Sequence, residues 1–181
     1  MKKLYEQKLS SELIYSGPVV ELHCDSVRLE NGATAKRDVI VHPGGVCIVP
    51  IDENGNVYMV RQFRYPFARV VKEIPAGKLN PGENPAECGK RELKEEIGAE
   101  ADSFEPLGKM LPTPAYDSEV IHIFLARGLK FSEQHLDDDE FLEVYKLPLD
   151  QAINEVLNGE ILDAKTQLAL LKAKIKLEQE Q

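Results

Sequence analysis

Three glutamates, Glu92, Glu95 and Glu96, stand at i, i+3 and i+4 within GKLNPGENPAECGKRELKEEIGA, residues 77–99. At about 100° per residue they share an arc of roughly 100° on a helix, and Ala86, Gly89, Leu93 and Ile97 share the neighbouring arc. One face can pack on a sheet while the adjoining face presents carboxylates. Like charges at this spacing weaken an isolated helix, so a compensating partner is expected. Hard divalent cations suit the role, because Mg2+ takes oxygen ligands and is commonly held by one or two carboxylates together with substrate phosphates. Arg91 is placed to pair with one carboxylate and orient it. The same glutamates also read as the solvated face of a Lys/Glu-rich helix, and their spacing alone leaves both readings open.

A helix that carries these side chains has its own start and stop. Asn84 is a good N-cap, Pro85 suits the first helical position, and Glu87 sits three after the cap as in a capping box. Gly98 is the expected C-terminal stop. Upstream, 19–24 and 27–29 read as strands leading to Asn31-Gly32, a hairpin signal because both residues tolerate positive φ, with 33–41 following. Residues 46–51 and 57–63 flank a polar turn as a second hairpin, and 70–74 is stopped by Pro75-Ala76-Gly77. Later strands are expected at 120–126 and 141–146, then helices at 149–157 and about 164–178, the last with Leu168, Leu171 and Ile175 on one side. Strands broken by one central helix and closed by two terminal ones predict an α/β fold.

Composition narrows the chemistry. The 181 residues suit one ordinary domain. Lys plus Arg is 22 against 31 Asp plus Glu, a net charge of −9 that repels nucleic-acid backbones. A phosphate ligand would therefore need local positive charge, such as metal ions. Cys24, Cys47 and Cys88 have no CxxC spacing, so neither a disulfide framework nor a zinc ribbon is indicated. The chain after Lys2-Lys3 lacks the apolar stretch of a signal peptide. The longest apolar run, about 46–51, falls far short of the roughly 20 residues that span a bilayer. A cytoplasmic protein is expected.

The segment 77–99 as a whole is more specific than its three glutamates. It fits Gly-x5-Glu-x7-Arg-Glu-U-x-Glu-Glu-x-Gly-U, with U apolar, through Gly77, Glu83, Arg91, Glu92, Leu93, Glu95, Glu96, Gly98 and Ala99. This is the Nudix box, and the chain resembles the Nudix hydrolases. Val60-Arg61-Gln62-Phe63-Arg64, Glu73-Ile74-Pro75-Ala76-Gly77, Pro114, Asp139-Glu140-Phe141 and Asp163-Ala164-Lys165-Thr166 look, in order and spacing, like the ADP-ribose pyrophosphatase branch.

The resemblance implies a Nudix fold, a mixed β-sheet sandwiched between α-helices, with an N-terminal antiparallel β extension. Residues 1–42 would be a dimerisation extension that exchanges strands in a homodimer, and 43–181 the Nudix domain. It implies metal ligation by Glu92, Glu96 and the Ala76 carbonyl, with Glu95 contributing directly or through water. Gly77 would mark a loop folded back on the helix, buttressed by Glu83. The general base would be Glu140, with Glu143 or Glu95 as substitutes. Arg64, and less directly Arg37, would take substrate phosphate or nucleotide, although either reads also as a surface arginine. Glu73 would touch substrate or metal, or else be a paired strand glutamate. Pro114 would belong to the substrate loop, where relatives usually read Pro-Gly and this chain has Pro114-Ala115-Tyr116. Tyr116 would stack on the base or ribose, or pack the loop. The implied reaction is hydrolysis of ADP-ribose to AMP and ribose 5-phosphate with Mg2+ or Mn2+. The alternatives are another nucleoside diphosphate sugar or dinucleotide, and a non-catalytic ADP-ribose or metal sensor.

Overall fold

The structure is a computed structural model that describes residues 4–136 and 140–180. Asp137, Asp138 and Asp139, including the first residue of the Asp139-Glu140-Phe141 motif, lie outside the described residues. The chain divides into two compact units, Met1–Gly44 with Leu111–Val120, and Gly45–Met110 with Ile121–Gln181.

The first unit is an antiparallel sheet of β1 (Gln7–Ser16), β2 (Glu21–Arg28) and β3 (Thr34–Val41), in that order. The Asn31-Gly32 turn joins β2 to β3 as expected, with Gly32 at φ +85° and the Leu29 N–H donating to Ala33 O at 2.8 Å. The two expected strands at 19–24 and 27–29 are one, β2. Strand β1 had no clear alternation in QKLSSELIYS, and it is exposed along its whole length. Residues 111–120 run beside β3, where Ile40 N–H donates to Tyr116 O at 2.7 Å and Ser118 N–H to Ile40 O at 2.9 Å.

The second unit holds β4 (Gly45–Ile51), β5 (Asn56–Arg64), β6 (Arg69–Glu73), β7 (Ala76–Lys78), α1 (Pro85–Ile97), β8 (Ala99–Met110), β9 (Ile121–Phe131), β10 (Leu142–Pro148), α2 (Leu149–Leu157) and α3 (Ala164–Gln179). Its sheet runs β10-β5-β4-β9-β8, with β6 on β5 and β7 on β4. Only the β4–β9 pair is parallel among these described strands, so the sheet is mixed. Strand β4 is buried at every position, which is why 46–51 is a continuous apolar run. Its side chains alternate between two cores. Val46 and Ile48 join Cys88, Leu93 and Ile97 of α1. Cys47, Val49 and Ile51 join Ala152 and Val156 of α2 and Ala169 and Leu170 of α3. The expected sandwich of a mixed sheet between helices is the observed one.

Three local expectations change. The β4–β5 hairpin is in register only at Ile51–Val57, and farther along β4 pairs with β7 instead. That divergence admits the Ala76-Gly77 segment to the sheet. Strand β8 went unread because Pro106 and Gly108 look like breakers, yet they flank a register shift that the β8–β9 ladder accommodates. In α3 the buried stripe is Thr166, Ala169, Leu170 and Ala173, whereas Ile175 is 54% exposed. Small residues at three of these four positions let the helix approach the sheet closely, and Leu168 and Leu171 fall to the flank. No helix among the described residues is long and apolar enough to cross a membrane.

The shifted stripe is checked by two substitutions. Leu170→Ala is expected to cost about 2–5 kcal/mol of unfolding free energy, and Ile175→Ala less than about 0.5 kcal/mol, measured by denaturant titration. Comparable losses at both positions would contradict the assignment.

Candidate active site

Helix α1 is held at both ends. Asn84 Oδ1 accepts the Ala86 N–H at 2.9 Å, and Gly98, at φ +65°, donates its N–H to Lys94 O at 3.0 Å. A Cβ on Gly98 would lie 2.4 Å from Ser132 O, so space as well as φ requires glycine. Glu87 bonds Lys90 Nζ at 2.9 Å rather than closing the expected capping box. With Cys88, Leu93 and Ile97 buried against the sheet, the rotation of the helix is set. Glu92 and Glu96 then turn inward, at 9% and 2% exposure, and Glu95 stands half-buried on the flank.

The Pro75-Ala76-Gly77 segment lies against these two carboxylates. Ala76 N–H donates to Glu96 Oε2 at 3.2 Å, and Ile48 N–H donates to Pro75 O at 2.9 Å. A Cβ on Gly77 would stand 1.8 Å from Glu92 Cδ, so this position brings the backbone directly onto the carboxylate. Arg91 gathers the rest. Its Nε and Nη2 donate to Glu83 at 3.0 and 3.2 Å, and its Nη1 donates to Glu92 and Glu95 at 2.8 Å each. Glu83 also accepts the Asn80 N–H at 2.9 Å. These bonds, led by Arg91, hold the Glu83 carboxyl down at about 2.

The electrostatics of the buried pair run the other way. Burial, then the charges of Glu140 and Glu92, push the Glu96 carboxyl well above its ordinary value, with the Ala76 N–H opposing. Burial likewise raises Glu92, against Arg91 and with Glu95 and Glu140 adding to the rise. The charge of Glu140, just before β10, thus acts on both α1 carboxylates. Of the other two candidate bases, Glu143 pairs with Arg61 at 2.6 Å and Glu95 with Arg91.

Buried carboxylates with raised pKa values make a set of hard oxygen donors whose repulsion a divalent cation would relieve, so the residues fit such an ion. Among the described residues no three His, Cys, Asp or Glu side chains already converge as a ligand set. Arg91 draws Glu92 and Glu95 toward itself, and rotation of those side chains is needed for joint ligation.

Arg64 on β5 donates from Nε and Nη2 to both oxygens of Glu73 at 2.6 and 2.7 Å. Glu73 also accepts from Lys165. Burial alone would raise Glu73, and the bonds from these two cations outweigh it, leaving the carboxyl below its ordinary value. The geometry therefore favours the paired strand glutamate of the two readings for Glu73. Arg64 keeps its Nη1 edge on the side away from that pair. In the first unit, Arg37 is paired with Glu6 at 2.6 and 3.0 Å, Pro114-Ala115-Tyr116 forms an exposed turn, and Ala115 avoids positive φ. The sequence had marked 163–166 as a motif without assigning it a task, and Asp163 as an N-cap followed by Thr166 was the available signal.

The family model of the NUDIX domain matches residues 41–168. The chain belongs to the Nudix family. An ADP-ribose pyrophosphatase of Bacillus subtilis (strain 168) is 39% identical over 97% of this chain and 96% of its own. A methanol dehydrogenase activator of Bacillus methanolicus is 41% identical over 94% of each. A solved structure, "Crystal structure of ADP compounds hydrolase", superposes with a TM-score of 0.88 at 23% identity, over 99% of this chain and 98% of that one, a likeness of fold. In this Nudix chain the box residues Glu83, Arg91, Glu92 and Glu95 form one connected carboxylate–arginine cluster, with Glu96 beside it on the Ala76 N–H.

The raised Glu96 carboxyl has a measurable consequence for the metal-free protein. Its folded pKa lies above the unfolded value of 4.5, so the folded state binds the proton more tightly. Stability then falls as pH rises from the unfolded value through the folded one. Glu96→Gln removes that titration and is expected to stabilise the chelator-treated protein at pH 7, with the advantage shrinking toward pH 4.5. Thermal unfolding across that range checks it, and a variant less stable than the parent at pH 7 would contradict it.

Proposed function

We propose that this chain is an ADP-ribose pyrophosphatase, hydrolysing ADP-ribose to AMP and ribose 5-phosphate. The observation that carries the reading is the buried Glu92–Glu96 pair, on which the charge of Glu140 acts. The near full-length similarity to the B. subtilis ADP-ribose pyrophosphatase supports the substrate. Glu92, Glu96 and the Ala76 carbonyl would hold divalent cations, Mg2+ or Mn2+, with Glu95 as a further donor. Such ions, when bound, neutralise the pyrophosphate and acidify water.

The remaining work falls to the chain's own residues. Glu140 accepts the proton of the attacking water as the new O–P bond forms at one phosphorus and the bridging P–O bond breaks. Arg91 orients Glu92 and Glu95, and Glu83 fixes Arg91 and the loop before α1. Glu73 holds Arg64 so that its Nη1 edge can meet a phosphate oxygen. Residues 1–42 act as a dimerisation extension to the 43–181 domain. Exposed Leu9, Leu13, Ile14 and Tyr15 on β1 support a homodimer, for which the expected solution mass is twice the 20.3 kDa chain. Three free cysteines suit a reducing, cytoplasmic setting. A second reading, favoured by the similarity to the methanol dehydrogenase activator, is that the same site serves activation of a partner dehydrogenase. Unchanged dehydrogenase rates on addition of this chain would remove it.

Incubation with ADP-ribose and Mg2+ is expected to yield AMP and ribose 5-phosphate, with a chelator abolishing the products. Preference for a GDP- or UDP-sugar would reassign the substrate, and tight binding without turnover would favour a sensor. Glu140→Gln is expected to lose about 10²–10⁴-fold in kcat with substrate binding largely kept. A near-parent rate would remove Glu140 from the base role. Gly77→Ala sets its Cβ onto Cγ, Cδ and Oε1 of Glu92 and so displaces that side chain, and turnover should fall by about 100-fold. Retained turnover in that variant would separate the Gly77 contact from catalysis.

A further inference from the structure

Asp163-Ala164-Lys165-Thr166 opens α3, and the proposed reaction gives it nothing to do. Thr166 and Lys165 act on residues 73–74, immediately before the Pro75-Ala76-Gly77 loop, and Asp163 holds both of them. Thr166 is fully buried. Its Oγ1 donates to Asp163 Oδ2 at 2.5 Å and accepts the Ile74 N–H at 3.0 Å. Lys165 Nζ lies 3.0 Å from Asp163 Oδ2 and donates to Glu73 Oε2. Glu73, itself 2% exposed, is gripped by Arg64 on both oxygens. The far end of the same loop meets α1 and β4 through the Glu96, Ile48 and Glu92 contacts described above. The segment that touches both α1 carboxylates therefore has two anchors, one on α1 and β4 and the other on the first turn of α3.

We propose that the first turn of α3 is a positioning device for the metal site: Thr166 and Lys165 fix Ile74 and Glu73, and through them the backbone of 75–77 against Glu92 and Glu96. The inference rests on the reading of Ala76, Glu92 and Glu96 as metal ligands. Its plain competitor is a structural role, in which Thr166 satisfies a buried N–H and Lys165 a buried carboxylate, and nothing more. The two differ in what they make sensitive. Metal ligation demands ligand positions held to about 0.2 Å, and Ala76 is only two residues beyond Ile74. A small displacement of that peptide is felt in cation affinity, whereas a structural role is felt in stability alone.

Thr166→Val keeps the side-chain shape and removes the hydroxyl that both accepts from Ile74 and donates to Asp163. Lys165→Met keeps the aliphatic stem and removes the charge. Mn2+ binding to the folded proteins, followed by the electron paramagnetic resonance of the free ion, is expected to weaken about 10-fold in each. Thr166→Ser restores the hydroxyl and is expected to recover the affinity. Binding within twofold of the parent in Thr166→Val and Lys165→Met, with only Tm lowered, would overturn the inference. Should Thr166→Val not fold, Lys165→Met decides by the same criterion. The parent and Glu96→Gln separate the two levels of the reading. If the parent binds Mn2+ no better than Glu96→Gln, the metal-site reading and this inference fall together. If Glu96→Gln alone loses the ion, only the inference falls.

Discussion

Two buried carboxylates one helical turn apart, Glu92 and Glu96, set the electrostatic problem around which the second unit is organised. Desolvation and the charges of neighbouring carboxylates both act against their charged forms. A lone helix would answer by turning them outward. Here that escape is closed, because Cys88, Leu93 and Ile97 fix the rotation of α1 against the sheet and the caps at Asn84 and Gly98 fix its ends. What remains is partial compensation. Arg91 meets Glu92 but is shared with Glu83 and Glu95, and Glu96 receives one backbone N–H. A cation in the proposed metal site would relieve the repulsion left over.

The sheet is arranged to bring backbone to those carboxylates. Strand β4 leaves β5 after Ile51–Val57 and takes β7 as its partner, which lays Ala76 and Gly77 beside α1. Behind this segment stands the Arg64–Glu73–Lys165–Asp163 array. Buried ion pairs are weak grounds for stability, since apolar residues of similar volume often do as well. What apolar residues would not supply is the directional hold on Glu73 and the Ile74 N–H. The array is better understood as a device that selects one placement of the loop.

Much of this was legible in the residues. Helix α1 matched its expected bounds because its signals are local: an N-cap, a proline at the first position and a glycine at the end. The alternation of β4 between two cores was implicit in a continuous apolar run. Strands β1 and β8 were hidden, the first because it buries nothing and so shows no period, the second because Pro106 and Gly108 mimic breakers. Within the site, the box spacing pointed to Glu92, Glu95 and Glu96 as one arc. Burial then divides them, and that division depends on which flank of the helix meets the sheet. The pairing of Glu73 with Lys165 joins residues 92 positions apart, and a contact at that separation leaves no mark in local sequence.

Charge balance explains why an acidic chain would suit a phosphate ligand only conditionally. Arg64 and Lys165 are neutralised by Glu73 and Asp163. Arg91 faces three carboxylates, and Glu96 and Glu140 add further acid. With a net charge of −9 overall, the protein by itself presents a pyrophosphate with repulsion at the very place where the acids cluster. The net charge offers a phosphate ligand no long-range attraction, so affinity depends on short-range neutralisation inside the site. The same arrangement discriminates against other anions. A phosphate compound that does not bring or meet divalent charge has only the Arg64 edge to gain there, so the buried carboxylates would restrict the ligand as well as serve the proposed chemistry.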